Sequence, residues 1–316
     1  MGTPRFTVGL VVHPTRDVSG SVATITDFLS RYGGEVLARA ADAARVGAAV
    51  RTVPADDFVD RLDALVALGG DGTMLGAMRL VVGRPTPILG VNHGNLGFLV
   101  EVTPADLPSA LDRLVAGDYT LEPHSCLAVT TTGGGPLTAF NDLVVTAAQQ
   151  LRAVTVDLAV NGSRHGYYRG DAVVACTPTG STAYNYAAGG PVLSPSAPTI
   201  TLTPVAPMSG ISRSVVFGGD DLVELHNPGE AALRFTADGV PSGTLEPDGT
   251  LSLRLHRDAV HIVRFDADTH GQRNRVKLSL LDLPLRPDQL LELVPAPLRD
   301  RARSALRRDA HHPSTE

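Results

Sequence analysis

The chain has 316 residues, a formal net charge of −6 at pH 7 and 43% hydrophobic residues. It is long enough for two domains, and no run of about 18 apolar residues is present, so the sequence indicates a soluble protein with no membrane partner. A nucleic-acid partner would require a basic face, which the acidic balance argues against.

The N-terminus leads directly into residues 6–12, an apolar run typical of a strand. No basic region followed by a removable apolar segment precedes it, so we expect no signal peptide and a cytoplasmic location. Cys126 and Cys176 are the two cysteines, and neither belongs to a Cys-x-x-Cys or clustered-histidine pattern. We therefore expect reduced, buried thiols instead of a disulfide or a metal site.

The first part of the chain, to about residue 122, alternates β-branched runs with alanine- and leucine-rich helical stretches. The strand-like runs are residues 6–12, 62–68 and 87–91, and the helical stretches are residues 22–31, 74–82 and 105–115. Residues 35–39 are compatible with either a second strand or a helix. This alternation predicts an α/β domain, residues 1–122, with a parallel sheet.

The second part of the chain lacks long helical periodicity and is rich in strand-like runs separated by turn signals such as Asn161-Gly162. These runs are residues 125–131, 137–146, 154–160, 199–204, 222–225, 232–237, 251–257 and 260–265. They predict a mostly antiparallel β domain, residues 123–285. The charged residues 299–316 are expected to fray in solvent.

The glycine-rich residues 69–73 follow the buried strand-like run 62–68 directly. Gly69, Gly70 and Gly72 carry no Cβ, so we expect the loop to take positive φ and to let a phosphate approach its backbone N–H groups. Thr73 opens the next helical stretch, whose N-terminus adds a favourable dipole for the same anion. The segment predicts a phosphate site.

Asp71 is the charged member of this loop. An acid beside bound phosphates is repelled unless it binds a metal ion or takes a proton from an attacking hydroxyl. The plainer alternative is a strand-turn-helix corner in which Asp71 only caps the helix.

A second hydroxyl-rich segment, residues 177–184 (Thr-Pro-Thr-Gly-Ser-Thr-Ala-Tyr), follows the short apolar strand-like run 172–176. Threonine and serine hydroxyls can donate to phosphate or sugar oxygens without adding charge, and Tyr184 offers a ring face and a phenol. A Pro-Gly turn whose hydroxyls are satisfied internally is the alternative.

Lys277 is the only lysine in the chain. No Gly-x-x-x-x-Gly-Lys precedes it, which excludes a Walker-type P-loop and a protein-kinase strand lysine. If phosphates are bound, glycine amides, hydroxyls and arginines must hold them.

Taken together, residues 69–73, residues 177–184 and the Gly-Gly-Pro at residues 189–191 closely resemble the signature set of the NAD kinases, which phosphorylate the adenosine-ribose 2′-hydroxyl of NAD to give NADP. Residues 90–99 are similar to the Gly-x-Asn-x-Gly-x-Leu-Gly-Phe segment of that family, and Asn141-Asp142 stand where it usually has Asn-Glu. The blocks follow the family order. The resemblance implies an α/β domain with a parallel sheet plus an antiparallel β domain, an active site in the cleft between them, and a C-terminal segment (residues 286–316) that returns to the first domain before a frayed tail.

The resemblance also implies roles. Asp71 would be the general base beside the ribose 2′-hydroxyl, with ATP phosphates on the surrounding loop and Mg²⁺ or another divalent cation accompanying ATP. Asn141 and Asp142 match the pair that holds the adenosine side of NAD, although this aspartate is one methylene shorter than the usual glutamate. The positions implied for ATP phosphates are Gly69, Gly70, Gly72 and Thr73, and those implied for the substrate are Phe98, Asn141, Asp142, Arg169, Asp171, Thr179, Ser181, Thr182, Ala183, Tyr184 and Asp238.

His93 invites a catalytic interpretation, but the matching family position usually holds a small hydroxylic residue, so we expect His93 at the surface or in a supporting position. Met208 and Ala172 also depart from the family pattern. These departures leave room for a kinase of the same fold acting on another nucleoside- or adenosine-like alcohol. Two alternatives from other classes are a non-catalytic NAD(P)-binding sensor, against which the intact Asp71 and glycine loop speak, and a lipid kinase that shares the Gly-Gly-Asp-Gly loop, which residues 177–184 do not suit. The resemblance implies a homodimer or homotetramer, and it leaves open ATP or polyphosphate as donor and NAD or NADH as acceptor.

Overall fold

The computed structural model describes residues 6–94, 98–100, 102–149 and 152–266. The predicted C-terminal segment 286–316 and the end of the predicted second domain lie outside the described residues. No helix in the described part of the chain is long and apolar enough to cross a membrane.

The first part of the chain alternates strands and helices. Its elements are β1 (Thr7–Val12), α1 (Ser19–Tyr32), β2 (Glu35–Arg39), α2 (Ala43–Val46), β3 (Arg51–Val53), α3 (Ala55–Phe58), β4 (Ala64–Gly69), α4 (Asp71–Leu80), β5 (Pro87–Asn92) and α5 (Leu107–Ala116). The five strands pair in the order β5-β4-β1-β2-β3, all parallel. The predicted parallel α/β arrangement is confirmed, and residues 35–39 form a strand.

The second part is built almost entirely of strands. Its elements are β6 (Thr120–Thr131), β7 (Leu137–Ala139), β8 (Asp142–Ala147), β9 (Val154–Val160), β10 (Ser163–Gly170), β11 (Ala172–Cys176), α6 (Tyr184–Ala187), β12 (Thr199–Val205), β13 (Ser209–Gly210), β14 (Val215–Gly218), β15 (Val223–His226), β16 (Leu233–Ala237), β17 (Val240–Leu245) and β18 (Thr250–Arg264). Strands β14-β12-β11-β8-β16-β17 form a separate, wholly antiparallel sheet. The antiparallel prediction is confirmed.

The long strand β18 joins the two parts of the molecule. It pairs antiparallel with β6 and β15, and near its end His261 and Ile262 pair in parallel with Pro87 and Ile88 of β5. One twelve-stranded sheet therefore runs through both parts. The domain boundary predicted at residue 122 falls inside β6, and the division into two domains stays a prediction.

The strands β1, β2 and β4 are parallel neighbours, so their carboxyl ends lie at one edge of the sheet. Ligands of open α/β sheets bind outside this edge. The segments that follow these three strands begin at His13, Ala40 and Gly70. Strands β1 and β4 are fully buried along their length, as covered parallel strands should be.

Both cysteines are free and buried, as the sequence predicts. Burial raises the pKa of Cys126 to about 12 and the pKa of Cys176 to about 12, with nearby carboxylates adding to each shift. Thiols with such pKa values stay protonated near neutral pH and behave as small apolar side chains.

Candidate active site

The glycine-rich loop runs from the end of β4 into helix α4, which begins at Asp71. Gly70 has φ −110°, and none of the three loop glycines is among the residues with positive φ, so the expected left-handed loop conformation is wrong. Gly69 is needed for close packing instead, since a Cβ there would lie 2.1 Å from Thr73 Oγ1. A Cβ at Gly70 or Gly72 would meet no atom within 4 Å, so these two positions face open space.

Asp71 holds the loop after β5 through both carboxylate oxygens. The Phe98 backbone N–H donates to its Oδ2 at 2.7 Å, and the Leu99 N–H donates to its Oδ1 at 3.0 Å. No side chain caps α4, so the helix-cap alternative does not describe this carboxylate. Asp71 is half-buried, and its two amide bonds use only part of the acceptor capacity of a carboxylate.

A cavity of about 630 Å³ opens in front of the loop. Its walls carry the first turn of α4, where backbone N–H groups have no intrahelical acceptor and the helix dipole favours an anion. Thr73 Oγ1 is buried at this wall and has no hydrogen-bond partner in the described part of the chain. The lining residues are Val11, Val12, His13, Pro14, Arg16, Arg39, Arg45, Gly70, Asp71, Gly72, Thr73, Gly76 and Gly94.

A second, more apolar cavity of about 350 Å³ is lined by Phe98 and Leu99. Two hydroxyl residues of the 177–184 segment, Thr179 and Thr182, line it beside Val192. The remaining lining residues are Glu122, His124, Pro178, Leu193, Ser194 and Pro195. Because the Phe98 and Leu99 amides bind Asp71, this carboxylate lies where the two cavities approach one another.

The hydroxyl-rich segment is held rigidly by its own side chains. Thr177 Oγ1 donates to the Phe140 carbonyl at 2.6 Å and accepts from the Gly180 N–H at 3.0 Å. Ser181 Oγ donates to the Pro178 carbonyl at 2.6 Å and accepts from the Leu193 N–H at 2.9 Å. Ser181 is completely buried, so its hydroxyl supports the turn and does not face either cavity. The alternative of internally satisfied hydroxyls therefore describes these two residues.

The segment 140–142 packs against this turn. The Thr177 N–H donates to the Asn141 carbonyl at 3.0 Å, and a Cβ at Gly180 would lie 1.9 Å from the same carbonyl oxygen, so only glycine fits there. Asp142 is buried, and burial, with the charge of Asp238 adding to it, raises its pKa to about 6, while a hydrogen bond from the Tyr184 backbone opposes the shift. Ala183 is partly exposed and the Tyr184 side chain is exposed.

Asp238 anchors the segment 140–142. Its Oδ1 accepts the Asn141 N–H at 2.6 Å and the Asp142 N–H at 3.2 Å, and its Oδ2 accepts the Phe140 N–H at 3.1 Å. Arg79 of α4 also donates to Oδ2, at 2.7 Å. Because the Asp238 side chain is completely buried and its oxygens accept four hydrogen bonds, the structure gives it a supporting position.

Arg169 and Asp171 lie away from the two cavities. Both are exposed, and they flank Gly170 at the corner between β10 and β11. Cys176, at the other end of β11, pairs with Asp142. A five-residue strand spans about 16 Å, so Asp171 stands roughly that far from the 140–142 segment.

A buried polar group supports the loop that binds Asp71. Arg264 on β18 donates to the Leu99 carbonyl at 2.9 Å and to Glu122 Oε2 at 2.5 Å. Burial opposes ionisation of Glu122, but a hydrogen bond from His124 and the positive charge of Arg264 outweigh it and lower its pKa. A series of hydrogen bonds thus connects the long strand β18 to Asp71, the candidate base, through Glu122, Arg264 and Leu99.

His93 stands beside the larger cavity and not within it. Its Nε2 lies 3.0 Å from Ser21 Oγ, and its carbonyl accepts a hydrogen bond from Arg16 Nη1. Burial lowers the pKa of His93, and the charges of Arg16 and His13 add to this, although Asp17 opposes it. The supporting position expected from the sequence agrees with this geometry.

The described residues contain no group of three or more histidine, cysteine, aspartate or glutamate side chains that could hold a metal ion. Asp71 is the single acid that lines the larger cavity among these residues. Mg²⁺ is commonly held by one or two carboxylates together with substrate phosphates and water. The donor set therefore fits a cation that arrives with a nucleotide, bound by Asp71 and the phosphates.

Several residues of the site were not predicted from the sequence: Arg16, Arg39 and Arg45 in the larger cavity, and Glu122, His124 and Arg264 at the smaller one. The arginines had a usable signal. Arg16 follows β1 and Arg39 ends β2, so both lie at the carboxyl edge of the parallel sheet, where ligands bind. Glu122, His124 and Arg264 had no such signal in the sequence, because β18 brings Arg264 to Leu99 from 165 positions away in the chain.

Comparisons with known proteins agree with this geometry. A glycine-rich strand-to-helix loop with an acid at a cavity of about 630 Å³ fits the class of phosphotransferase sites. Family models for the ATP-NAD kinase N-terminal domain and the ATP-NAD kinase C-terminal domain match residues 8–119 and 140–265. The chain belongs to the NAD kinase family and is an NAD kinase enzyme.

Two relatives illustrate the match. The chain is 36% identical over 286 residues to the NAD kinase of Symbiobacterium thermophilum, covering 87% of this chain and 99% of that protein. It is 38% identical over 223 residues to the NAD kinase of Gemmatimonas aurantiaca, covering 69% of this chain and 77% of that protein.

Solved structures share the fold. A yeast NADH kinase complexed with NADH superposes with a TM-score of 0.79 at 20% identity, covering 90% of each chain. An NAD kinase from Archaeoglobus fulgidus in complex with ATP gives a TM-score of 0.65 at 23% identity, covering 88% of this chain and 99% of that one.

Proposed function

We propose that the protein transfers the γ-phosphoryl group of ATP to the adenosine-ribose 2′-hydroxyl of NAD, giving NADP and ADP. The observation that carries this proposal is the position of Asp71. It lines the larger cavity, beside an anion-binding helix N-terminus, and it binds the backbone of Phe98 and Leu99, which line the smaller cavity. A base between a phosphate-binding site and an apolar pocket is what phosphoryl transfer to a nucleoside hydroxyl requires.

The acceptor adenosine fits the smaller cavity. Phe98 supplies an aromatic face, and the Thr179 side chain offers a hydroxyl at its wall. The Thr182 hydroxyl donates to the Thr179 carbonyl at 3.3 Å and so offers the substrate an acceptor. We place Asn141 and Asp142 at the ribose and adenine edges, because the tight packing of Gly180 on the Asn141 carbonyl fixes this segment beside the hydroxyl-rich turn. The rest of the dinucleotide would pass Ala183 and Tyr184.

The far end of NAD would then reach the exposed corner between β10 and β11. This corner stands one strand length from the adenosine side, about 16 Å, a span that suits an extended dinucleotide. Asp171 offers an acceptor for the amide of the nicotinamide, and Arg169 offers a cation near it. Both residues are exposed, so a ligand can reach them.

In the reaction, the Asp71 carboxylate accepts the proton of the 2′-hydroxyl while that oxygen attacks the γ-phosphorus and the bond to the β-phosphate bridging oxygen breaks. The Phe98 and Leu99 amides fix the orientation of the carboxylate and leave it free lone pairs for the hydroxyl. The N–H groups of Gly72 and Thr73 offset negative charge on the phosphates. A divalent cation bound by Asp71 and the phosphates would supply further charge neutralisation there.

The test is an ATP-to-ADP coupled assay with NAD, NADH, other adenosine-containing alcohols, nucleosides and diacylglycerol as acceptors. We expect NAD to give the highest kcat/KM and the product to carry its new phosphate on the 2′-oxygen. Phosphate on any other position, or a nucleoside preferred over NAD, would overturn the proposal.

A second candidate is a kinase of the same fold that acts on another adenosine-like alcohol. It is favoured by Met208, which is 62% exposed, and by the shortened acid Asp142. Acceptor discrimination depends on such groups, since a mismatched hydrogen bond can change a preference by several kcal/mol. A kcat/KM for NAD at least about a hundredfold above every other acceptor would exclude this candidate.

Assembly stays a prediction from the family resemblance, and location stays a prediction from the N-terminal sequence. We expect a homodimer or homotetramer, which sedimentation of the purified protein would check, and a cytoplasmic location. A monomer that keeps full kcat would contradict the expected assembly.

A further inference from the structure

We propose that Arg39 and Arg45, held side by side by the buried Asp42, bind the terminal phosphates of the phosphoryl donor. This inference rests on the proposed function for the identity of the donor. It assigns to two arginines the charge that a P-loop lysine supplies in other phosphotransferases.

The first observation is the geometry of the arginine pair. Arg39 Nη2 lies 2.9 Å from Asp42 Oδ2, and its Nε also donates to that oxygen at 2.9 Å, while Arg45 Nη2 binds Asp42 Oδ1. The Asp42 side chain is 1% exposed, whereas the two arginine side chains are 29% and 35% exposed. One buried anion therefore positions two guanidinium groups that keep part of their surface for another partner.

The second observation is where these groups lie. Both arginines line the cavity of about 630 Å³, together with Gly70, Asp71 and Gly72. The first turn of α4 and two cations thus line one cavity. A chain of phosphates between them would meet guanidinium donors as well as backbone N–H groups, the two donor types that bind phosphate best in proteins.

The charges decide whether a polyphosphate is attracted. Asp71 in the same cavity repels it, and Asp42 cancels one of the two arginine charges. Arg16 is a third cation at this cavity, and its Nη1 is held by the His93 carbonyl. Three cations against two anions leave a net positive charge facing a ligand that carries several negative charges.

Composition makes arginine the necessary choice. Lys277 is the only lysine in the chain, and it lies outside the described residues. A guanidinium bound to a carboxylate on one edge still offers N–H donors on the others, which an ammonium group does not do in fixed geometry. Because the terminal phosphates carry most of the donor charge, inorganic tripolyphosphate should bind here without the nucleoside.

The first arm of the test measures binding of inorganic tripolyphosphate to the full chain by calorimetry. Arg39→Gln and Arg45→Gln should each raise its Kd about tenfold or more, and the double variant about a hundredfold, because each removes one charge-assisted contact. The matched control is Arg51→Gln, which removes an exposed arginine from the neighbouring strand β3, where it pairs with Glu35 at 3.0 Å and does not line the cavity. Kd values within twofold of wild type in both arginine variants would overturn the proposal.

The second arm separates this proposal from the proposed function. In steady-state kinetics the two variants should raise KM for ATP about tenfold and leave KM for NAD within twofold. If the wild-type protein does not phosphorylate NAD, the proposed function fails, and the tripolyphosphate arm still decides the arginine pair. Equal increases of both KM values would mean that the arginines only support the fold, and would overturn the assignment.

Folding is controlled within the same set. Arg39→Lys with Arg45→Lys keeps both charges, so it should retain tripolyphosphate binding better than the double glutamine variant at a similar Tm. If the glutamine variants do not fold, the salt dependence of tripolyphosphate binding to wild type and to the double lysine variant replaces them, with a steep loss of affinity expected. A Kd that does not depend on salt would then count against the proposal.

Discussion

Asp71 and Asp238 both bind backbone N–H groups, but they differ in how much hydrogen-bonding capacity they have left. Asp71 accepts two amides, from Phe98 and Leu99, and is half-buried at the wall of a cavity. Asp238 accepts three amides of residues 140–142 and one bond from Arg79, and its side chain is completely buried. A carboxylate has about four lone-pair sites, so Asp238 is saturated and Asp71 retains capacity for a substrate hydroxyl.

An acid in a glycine-rich turn is therefore not functional by virtue of its motif alone. Both acids have a glycine neighbour, Asp71 at the first position of α4 and Asp238 in the turn after β16, and both are candidate site residues in the sequence. What separates them is the number of hydrogen bonds that the rest of the fold brings to them. We expect substitution of Asp71 to affect the rate, and substitution of Asp238 to affect stability.

The largest effect is expected for Asp71→Asn. The amide side chain cannot take the proton of the acceptor hydroxyl, so kcat should fall on the order of a hundred- to ten-thousandfold. Dinucleotide binding should stay within roughly tenfold, because the amide oxygen still accepts one of the two N–H groups that hold the loop, although the NH₂ group faces the other. Steady-state kinetics and calorimetric binding of NAD check both, and Asp220→Asn, a substitution at an acid that is 93% exposed, serves as the matched control. Turnover near wild type would remove Asp71 from the base role.

Asp238→Asn should instead destabilise the protein. Asparagine presents an NH₂ group to backbone N–H donors and leaves Arg79 without its counter-charge, and breaking a buried ion pair of this kind costs about 3–5 kcal/mol. Urea unfolding at constant pH measures the change in free energy of unfolding. A loss below about 1 kcal/mol, together with a large rise in KM for NAD, would show that Asp238 contacts the substrate after all.

The same carboxylate explains one limit of prediction from sequence. Residues 137–146 read as one strand, but the structure has β7 ending at Ala139 and β8 beginning at Asp142. The N–H groups of residues 140–142 bind Asp238, and residues 140 and 141 lie outside both strands. Nothing in the local pattern could show this, since Asp238 lies about a hundred residues further on, as the separations of 96 to 98 positions record.

Strand β10 shows a second limit. Residues 163–170 form a strand that was not predicted, because most of its side chains are exposed and it carries little apolar alternation. Backbone pairing with β9 and β13 stabilises it in spite of this polar sequence. In the other direction, two predicted strands, residues 251–257 and 260–265, form the single strand β18, with a register shift between His256 and Val260.

The parts that were predictable share a physical reason. Buried parallel strands such as β1 and β5 need continuous apolar runs, so composition alone locates them within a few residues. The glycine-rich loop and the 177–184 turn were locatable because few residue types allow their close contacts, as the Gly180 approach to Asn141 shows. Hydrogen-bonded pairs of residues far apart in the chain, such as Arg264 with Leu99, produce no recognisable pattern in the local sequence.

Asn141→Ala tests whether the segment held by Asp238 serves the acceptor. If the side chain binds a ribose or adenine edge, its loss should raise KM for NAD about fivefold to 150-fold, which corresponds to about 1–3 kcal/mol for an unpaired buried partner. KM for ATP should change less than twofold, and the backbone bond to Asp238 should preserve Tm. Equal changes in both KM values would reduce the segment to a structural turn.

The smallest effect is a pH dependence that comes from Asp142. Burial and the neighbouring charge of Asp238 raise the pKa of Asp142 to about 6 from its ordinary value of 3.8, so the folded protein binds a proton that the unfolded chain releases between these values. The contribution of Asp142 to stability is therefore fully present below about pH 4 and is lost as the pH rises through about 6.

Asp142→Asn keeps the shape of the side chain and removes the titration. The free energy of unfolding of the variant minus that of wild type should thus become more favourable to the variant, by on the order of 2 kcal/mol, between pH 4 and pH 8. Taking this difference at each pH cancels the titration of the other groups, and Asp220→Asn, at an acid that is 93% exposed, should show no such trend. A flat difference across the range would mean that Asp142 is ionised in the folded protein throughout, and would leave it ready to accept a ribose hydroxyl at every pH.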